Sequence, residues 1–355
     1  MDNRYLNGAV ELLREMVSIP SISGEESAVS DYIYKYLESN GLCPERIANN
    51  IVVYSKRYNP SRRTLMLNSH MDTVKPVSAY SFDPYAPGND DERIFGVGSN
   101  DAGASVVSLI HTFLYFEEQE SDLLPFNLML LISAEEETSG KNGIILALKN
   151  IRRPDCAIVG EPTCMKTAVG ERGLLVVDAV AHGVCGHAAR NEGVNAIMVA
   201  FDDIAWLRNY SFPEVSERMG AVKCSVTQIE AGTQHNVVPD ACKFVIDIRP
   251  TDCYTNPEIM EILKANMKSE MKARSLTNRS SITPTGHPLV DAALSCGIET
   301  YISPTTSDWM RMDFPAVKMG PGDSSRSHRA DEFVYIDEVR GGVEGYVNFV
   351  SKMKM

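Results

Sequence analysis

A histidine and a carboxylate close an apolar run in the first quarter of the chain. Residues 64–69 are followed by His70 and, two positions later, by Asp72. As a buried strand, this run would deliver both side chains at its carboxyl end, which is where open α/β sheets place their ligands. A lone histidine after an apolar run is more often a structural residue. Further segments of the same kind are needed before a site is indicated.

Three later apolar runs also end in groups that can bind a metal. They lead to a cluster of glutamates, a single glutamate, and a histidine behind a glycine-rich turn: Glu135, Glu136 and Glu137 after residues 127–133, Glu161 after 155–160, and His328 after 315–319. Unpaired carboxylates are costly at the buried ends of core strands, so these coincidences need a common cause. A metal centre supplies one.

A glycine-rich segment at residues 96–103 adds Asp101 to this set. As a phosphate loop it is poor, because the remaining Walker and Rossmann positions are missing. The glycines instead allow a tight bend that would point Asp101 into the same cleft as His70.

The collected side chains form a mixed imidazole and carboxylate set that suits zinc or a similar divalent ion. The candidate ligands are His70, Asp101, Glu137, Glu161 and His328. Five ligands are too many for one closed tetrahedral site. If one carboxylate bridges, they form two three-ligand sites about 3.5 to 4 Å apart, each with room for water. Asp72 would then hold the imidazole of His70 from behind.

Composition narrows the class of protein. The chain has 355 residues, 44% of them hydrophobic, and a net charge of -13. This length favours roughly two domains, and the acidic balance argues against nucleic acid or an anionic membrane as a partner. The start of the sequence lacks a basic region followed by an apolar block, and no apolar run is long enough to span a bilayer. We therefore expect a soluble, cytoplasmic protein.

The order of elements predicts an α/β fold with an insertion. Strands alternate with helices up to Glu161, which predicts a mixed, mostly parallel sheet flanked by helices. Residues 168–279 then show a β-α-β-β-α order, with strands at 173–182, 221–230 and 237–248 and helices at 193–208 and 256–272. This order predicts an inserted α+β (ferredoxin-like) lid and dimerisation domain. Residues 1–167 and 280–355 would form the metal-binding catalytic domain.

At this point the chain resembles the M20 metallopeptidases, and within them the acetylornithine deacetylase and succinyl-diaminopimelate desuccinylase branch. The resemblance covers nearly the whole chain and rests on eight motifs: SHMDTV at 69–74, GSND at 98–101, AEEETSG at 134–140, VGEPT at 159–163, GHAARNEGVNAI at 186–197, HNVVPD at 235–240, DIRP at 247–250 and GPGDSSRSH at 320–328.

The resemblance implies roles for the site residues. It makes His70, Asp101 and Glu161 the ligands of one metal, and Asp101, Glu137 and His328 the ligands of the other. Glu136 becomes the general base, although the sequence also allows a shift of one residue to Glu135. The peptide bond after Asp101 is expected to be cis.

The resemblance also implies substrate contacts. His187 resembles the histidine that stabilises the oxyanion, in dimeric relatives often from the other subunit, which predicts a homodimer through the lid. Asn236, Arg249 and Ser307 resemble substrate-binding residues, and Arg249 suits a carboxylate. The chain departs from the family pattern at Trp309, a bulky residue where a small one is usual, and this leaves the shape of the substrate pocket open.

The main hypothesis is a hydrolase with two divalent ions, zinc or else cobalt, that removes an acetyl or succinyl group from an amino acid such as ornithine or citrulline in arginine biosynthesis. A di- or tripeptidase, or a broader aminoacylase, would use the same catalytic set. From another class, a catalytically silent metal-binding protein would retain the ligands without turnover.

Overall fold

The computed structural model describes residues 2–119, 124–190 and 192–355. Its helices are α1 Asn3–Val17, α2 Ser27–Ser39, α3 Ala104–Glu117, α4 Ile144–Asn150, α5 Ala196–Asn209, α6 Asn256–Asn266, α7 Pro288–Ser295 and α8 Ile336–Lys352. Its strands are β1 Glu45–Ile47, β2 Asn50–Tyr54, β3 Thr64–His70, β4 Arg93–Phe95, β5 Asn127–Ser133, β6 Cys156–Val159, β7 Thr167–Glu171, β8 Leu175–His182, β9 Gly186–His187, β10 Lys223–Ala231, β11 Val237–Val238, β12 Ala241–Arg249, β13 Glu270–Ala273, β14 Ser281–Ile282, β15 Thr300–Ser303, β16 Ala316–Lys318 and β17 Phe333–Tyr335.

The chain divides into two compact units. Unit 1 comprises Met1–Val169, Thr283–Tyr301 and Ser307–Met355, and unit 2 comprises Gly170–Ile282 and Ile302–Thr306. Among the described residues, no helix has the length and apolar character needed to cross a membrane.

Unit 1 is built on a mixed sheet with a parallel centre. Its strands lie in the order β1-β2-β5-β3-β6-β16-β7, and the four central strands β5, β3, β6 and β16 are parallel to one another. Every residue of β3 and β5 is buried, which explains why these strands read as continuous apolar runs. Helices α1, α3 and α8 pack together, and α3 lies against β3 and β5. The predicted fold class is confirmed.

The parallel centre explains how distant segments meet. His70 is the last residue of β3, Glu135 follows two residues after β5, and Glu161 follows two residues after β6. Because these strands are parallel, their carboxyl ends lie at one edge of the sheet. Ten residues beyond β16 the chain reaches His328.

Trp309 lies in the core. It is 1% exposed and packs with Met66, Met129 and Phe314 in one apolar cluster of unit 1. Its size fills space beside the sheet, so this departure from the family pattern is accommodated by core packing.

Unit 2 has its own antiparallel sheet, in the order β10-β12-β8-β13. With α5 and α6 the elements follow each other as βαββαβ. The predicted helix over 256–272 is wrong at its end, because α6 stops at Asn266 and residues 270–273 form the edge strand β13. The buried carboxylate of Asp203 on α5 explains the break, since it accepts hydrogen bonds from the backbone N–H groups of Lys268 and Ser269. These two N–H groups therefore do not continue the helical hydrogen-bond pattern.

Helix α3, which follows the Asp101 turn, buries a histidine in neutral form. His111 Nδ1 donates to the carbonyl oxygen of Val107 at 2.8 Å, and Nε2 lies 2.9 Å from the hydroxyl of Tyr36. A carbonyl can only accept, so the ring carries its proton on Nδ1 and Nε2 accepts from Tyr36. Burial lowers the pKa of His111 to about 4.

We expect the free energy of unfolding to fall as the pH drops from about 6.5 to about 4. In this window the unfolded chain binds a proton at His111 and the folded chain does not, so the contribution is complete above the window and lost within it. The two pKa values differ by an amount worth about 3 kcal/mol. Denaturant unfolding of the wild type and His111→Gln at pH 7 and pH 5 measures this. The variant should lose less stability between the two pH values, and an equal loss in both proteins would count against the assignment.

Candidate metal centre

His70 is buried at the end of β3 with its ring held from behind. Its Nδ1 donates to the backbone carbonyl oxygen of Asp72 at 2.9 Å, which leaves Nε2 facing the neighbouring carboxylates. The carboxylate of Asp72 lies 3.6 Å from Nδ1, and it also accepts from the N–H groups of Glu136 and Glu137 at 3.0 and 3.1 Å. Asp72 therefore orients both the imidazole and the loop that follows β5.

Asp101 lies between the two histidines. Its Oδ1 is 3.4 Å from Nε2 of His70, and its Oδ2 is 3.7 Å from Nε2 of His328. One carboxylate thus presents a different oxygen to each imidazole, which is the arrangement a bridging ligand needs. The peptide bond between Asp101 and Ala102 is cis, as expected.

Two further glutamates complete the cluster, one on each side of Asp101. Oε1 of Glu161 lies 3.9 Å from Nε2 of His70, and Oε2 of Glu137 lies 3.0 Å from Nε2 of His328. Ligand atoms of His70, Asp101 and Glu137 all lie within 4.8 Å of one another. The structure therefore brings the five sequence-predicted ligands together in unit 1.

The protonation of the cluster reflects crowded negative charge in a buried place. Burial raises the pKa of Glu161 to about 8, with the charge of His70 opposing this and that of Asp101 adding to it. Hydrogen bonding to Glu137 raises the pKa of His328 to about 9 against the effect of burial. For His70, burial disfavours the charged ring, but hydrogen bonds to Asp101 and Asp72 outweigh it and raise its pKa. Added positive charge would stabilise the ionised carboxylates of this cluster.

This donor set fits divalent metal ions. Imidazole nitrogen and carboxylate oxygen are the ligands of zinc and related ions in hydrolytic sites. A bound cation would keep the carboxylates ionised and the imidazoles neutral, since it reverses the electrostatics that raise their pKa values. His70, Asp101 and Glu161 could hold one ion, and Asp101, Glu137 and His328 another.

The three adjacent glutamates have different surroundings. Both carboxylate oxygens of Glu135 accept from Asn142, at 3.0 Å from its backbone N–H and 2.9 Å from its side-chain amide. Glu136 instead lies close to the cluster. Burial raises its pKa, the charge of His70 opposes this, and the charges of Glu161 and Asp308 add to it. A carboxylate beside the candidate ligands, and not among them, is placed to accept and return a proton during hydrolysis.

Ser307, which is predicted to bind substrate, and the neighbouring Asp308 have structural partners. Ser307 is fully buried and caps the short helix after it by accepting from the N–H of Trp309 at 3.3 Å. Asp308 is also buried and accepts from the hydroxyl of Ser133 at 2.5 Å. Burial raises the pKa of Asp308 to about 6.

The substrate residues predicted in the inserted segment all lie in unit 2. Exposed His187 and Asn236 are close to each other, since His187 is in β9, which pairs with β11, and the Asn236 carbonyl accepts from the N–H of Ala188 at 3.1 Å. Arg249, at the end of β12, forms a two-pronged ion pair with Asp247 at 2.8 and 3.0 Å. The guanidinium that was predicted to bind a substrate carboxylate thus holds a carboxylate of its own unit.

Two buried polar residues beside the cluster were missed by the sequence prediction. Asn100 directly precedes Asp101, and Glu332 follows His328 by four positions. Both are at most 2% exposed. Burial raises the pKa of Glu332 to about 8, and the charge of Asp101 adds to this. Glu332 precedes the apolar run 333–336 and does not follow one, so the pattern that identified the predicted ligands did not mark it.

The imidazoles and carboxylates gathered at one edge of the mixed sheet form a candidate centre for divalent ions, of the kind that metal-dependent hydrolases use. The sequence supports the same class, because residues 66–352 match Peptidase family M20/M25/M40. The chain belongs to this family, and it is a hydrolase of amide bonds.

Individual relatives are similar over most of their length. A peptidase M20 domain-containing protein of Schizosaccharomyces pombe is 30% identical, covering 96% of this chain and 84% of the relative. An acetylornithine deacetylase of Edwardsiella ictaluri is 26% identical over 94% of this chain and 95% of its own. A probable carboxypeptidase of Aspergillus niger is 26% identical over 95% and 88%.

A solved structure with the same fold is a tripeptidase of Staphylococcus aureus subsp. aureus Mu50. It has a TM-score of 0.78 at 20% identity and covers 98% of each chain. At this identity the likeness supports the fold.

Proposed function

We propose that this chain is a two-metal amidohydrolase that removes an acetyl or succinyl group from the amine of an amino acid such as ornithine or citrulline, as in arginine biosynthesis. The proposal of two metal ions rests on the carboxylate of Asp101. One of its oxygens lies toward His70 and the other toward His328. The similarity to an acetylornithine deacetylase over nearly the full length supports the substrate class. A cytoplasmic location remains part of the prediction.

The metal centre and the protein would divide the work of hydrolysis. Two divalent ions, zinc or else cobalt, would when bound polarise the amide carbonyl and acidify a water molecule. In the proposal, the carboxylate of Glu136 accepts a proton from this water and delivers it to the leaving amine nitrogen. Asp72 holds the loop of Glu136 in place through the N–H groups of Glu136 and Glu137. His187 would donate a hydrogen bond to the carbonyl oxygen as negative charge develops there.

A peptidase is the second candidate. The observation that favours it is the similarity to a probable carboxypeptidase over 95% of this chain, at the same 26% identity as the deacetylase. Both activities cleave an amide next to a carboxylate-bearing residue, so the same cluster can serve either. The substrate pocket decides between them.

A substrate panel separates the two candidates. It contains N-acetyl and N-succinyl forms of ornithine, citrulline, lysine and diaminopimelate together with several dipeptides, each assayed for amine release with added zinc or cobalt. The proposal expects strong preference for one acyl amino acid, which would identify the acyl group and the side chain. Cleavage of dipeptides alone would leave the metal roles intact and replace the deacylase by the peptidase.

We also propose a homodimer through unit 2, and an exposed apolar surface supports it. Met198 and Phe201 on the outer face of α5 are 55% and 62% exposed, and Ile229 on the neighbouring strand β10 is 60% exposed. Strand β10 is an edge of the unit 2 sheet. An apolar patch beside an open strand edge is a self-complementary surface that a second copy can cover.

We expect Phe201→Glu to dissociate the dimer, because it places a charge on the most exposed of these apolar side chains. Sedimentation velocity should show the wild type as a dimer and the variant as a monomer. A matched control is Leu294→Glu on α7 in unit 1, which changes a residue of similar exposure (60%) to the same charge and should remain dimeric. A wild-type monomer with full activity would refute the dimer. It would also refute the idea that a second subunit contributes its His187 to the site.

A further inference from the structure

Two buried side chains connect the segment of Asp101 to the segment of His328. Oε1 of Glu332 accepts from the backbone N–H groups of both Asn100 and Asp101, each at 3.0 Å. In the opposite direction, the amide of Asn100 accepts from the N–H of Asp323 and donates to the carbonyl of Asp323, both at 3.0 Å. Its Nδ2 also lies 3.2 Å from the hydroxyl of Ser327. Each segment therefore holds the backbone of the other.

The backbone of the His328 segment is irregular around its ligand. His328 lies in irregular backbone between a short helix at 324–326 and β17, and it has a φ of 57°, in the left-handed region. Its side chain is 56% exposed. Regular hydrogen bonding resumes at β17, which pairs with β4, the strand that leads into the Asp101 turn. Arg326 and Asp331 hold this segment to other parts of unit 1, through Glu338 at 2.6 Å and Ser81 at 2.8 and 2.9 Å. Asn100 and Glu332 are the buried side chains that join it directly to the backbone of the Asp101 segment.

The backbone of Gly322 packs tightly against the side chain of Asn100. A Cβ atom added at Gly322, which has a φ of 87°, would collide with Oδ1 of Asn100. The backbone of Glu332 adds a further link, since its carbonyl accepts from the N–H of Gly96 at 2.9 Å. Tight packing therefore holds the side chain of Asn100, and a backbone hydrogen bond holds Glu332.

We infer that Asn100 and Glu332 are positioning residues that set the spacing between Asp101 and His328 and thereby the affinity of the metal site that these two ligands share. We call this pair the reciprocal clamp. The inference rests on the proposed two-metal centre and adds to it residues outside the ligand set. Neither residue needs to touch metal or substrate, because both act through the backbone that carries the ligands.

The test measures zinc binding without any substrate. Chelator-stripped protein is dialysed against a series of buffered free zinc concentrations, and bound zinc per chain is counted by mass spectrometry. Asn100→Ala should weaken one of the two sites about 10- to 100-fold, the usual effect of losing a group that orients a ligand, and leave the other within a few-fold of wild type. Glu332→Ala should do the same, whereas Glu332→Gln retains an accepting oxygen and should restore most of the affinity.

The matched control is Asn256→Ala in unit 2. Asn256 is equally buried and donates to two backbone carbonyl oxygens, so its loss should lower thermal stability and leave both zinc affinities unchanged. If Asn100→Ala does not fold, Glu332→Ala takes its place. Ser327→Ala would not, because the Ser327 hydroxyl hydrogen-bonds the carboxylate of Asp101 as well as Asn100.

Wild-type affinity at both sites in folded Asn100→Ala, or in folded Glu332→Ala if Asn100→Ala does not fold, would overturn the inference. Equal weakening in Asn256→Ala would overturn it too, because the effect would then be general destabilisation. A wild type that binds no zinc would instead overturn the proposed metal centre. The two failures are therefore distinguishable.

Discussion

Glu136→Gln should lower kcat by about 10² to 10⁴-fold and leave the metal content of the protein unchanged. The amide is close in size to the carboxylate but cannot accept the proton of the attacking water, and general base catalysis is typically worth this factor. Glu136 is not among the five predicted ligands, so its replacement should not release metal. Steady-state amine release together with zinc analysis of the same preparation measures both quantities.

Glu135→Gln is the matched control for this prediction. It makes the same chemical change one residue earlier, where the side chain accepts from Asn142. We expect nearly wild-type kcat for it and at most a modest loss of stability. If Glu135→Gln were inactive and Glu136→Gln active, the base would have to be moved by one position, which the sequence left open.

Asp101→Asn should have the second large effect, because it changes a ligand that both metal sites would share. The amide loses the negative charge and can offer only one oxygen, so bridging between the sides of His70 and His328 is lost. We expect weaker binding at both sites and a fall in kcat/KM of about 10³-fold or more, as removal of several kcal/mol of metal-dependent stabilisation implies. Zinc titration and amine release measure the two consequences.

The control here is Asp313→Asn. Asp313 has a side chain that is 74% exposed and pairs with Arg153 on the surface, so the same change should alter neither zinc binding nor turnover. An Asp101→Asn protein that kept two tightly bound zinc ions would show that Asp101 does not bridge.

Much of the metal centre could be predicted because four of the five ligands follow an apolar run, and the fifth, Asp101, lies in a glycine-rich segment. Buried parallel strands such as β3 are apolar throughout, so a histidine or carboxylate at the end of the run stands out in the sequence. The parallel order of the strands then brings His70, Glu137 and Glu161 to one edge. The spacing of the ligands in the chain, by contrast, did not show which ligands share a metal ion. That assignment came from the family resemblance.

The connections behind the ligands were beyond the sequence. Asn100 bonds to Asp323 across 223 positions of the chain, and no local pattern marks such a contact. The end of α6 was mispredicted for the same reason, because Asp203 on another helix withdraws the N–H groups of Lys268 and Ser269. Tertiary hydrogen bonds override local propensity at such places.

The substrate-binding roles predicted in unit 2 came from the family resemblance, and a local ion pair bears on one of them. Arg249 matched a family position, yet it forms an ion pair with Asp247 two residues before it in β12. A side chain on one strand can reach a neighbour on the same face two positions away, so this pairing was available to the sequence reasoning. The contributions of His187, Asn236 and Arg249 to substrate binding remain predictions.

The central claim is that hydrolysis depends on two metal ions held around Asp101. The most direct test titrates zinc into chelator-stripped protein and follows, in the same samples, bound zinc per chain and amine release from the preferred substrate of the panel. We predict that stripped protein is inactive and that activity rises to its maximum as the second ion binds. Full activity in the stripped protein, or saturation of both zinc binding and activity at a single ion, would contradict this account.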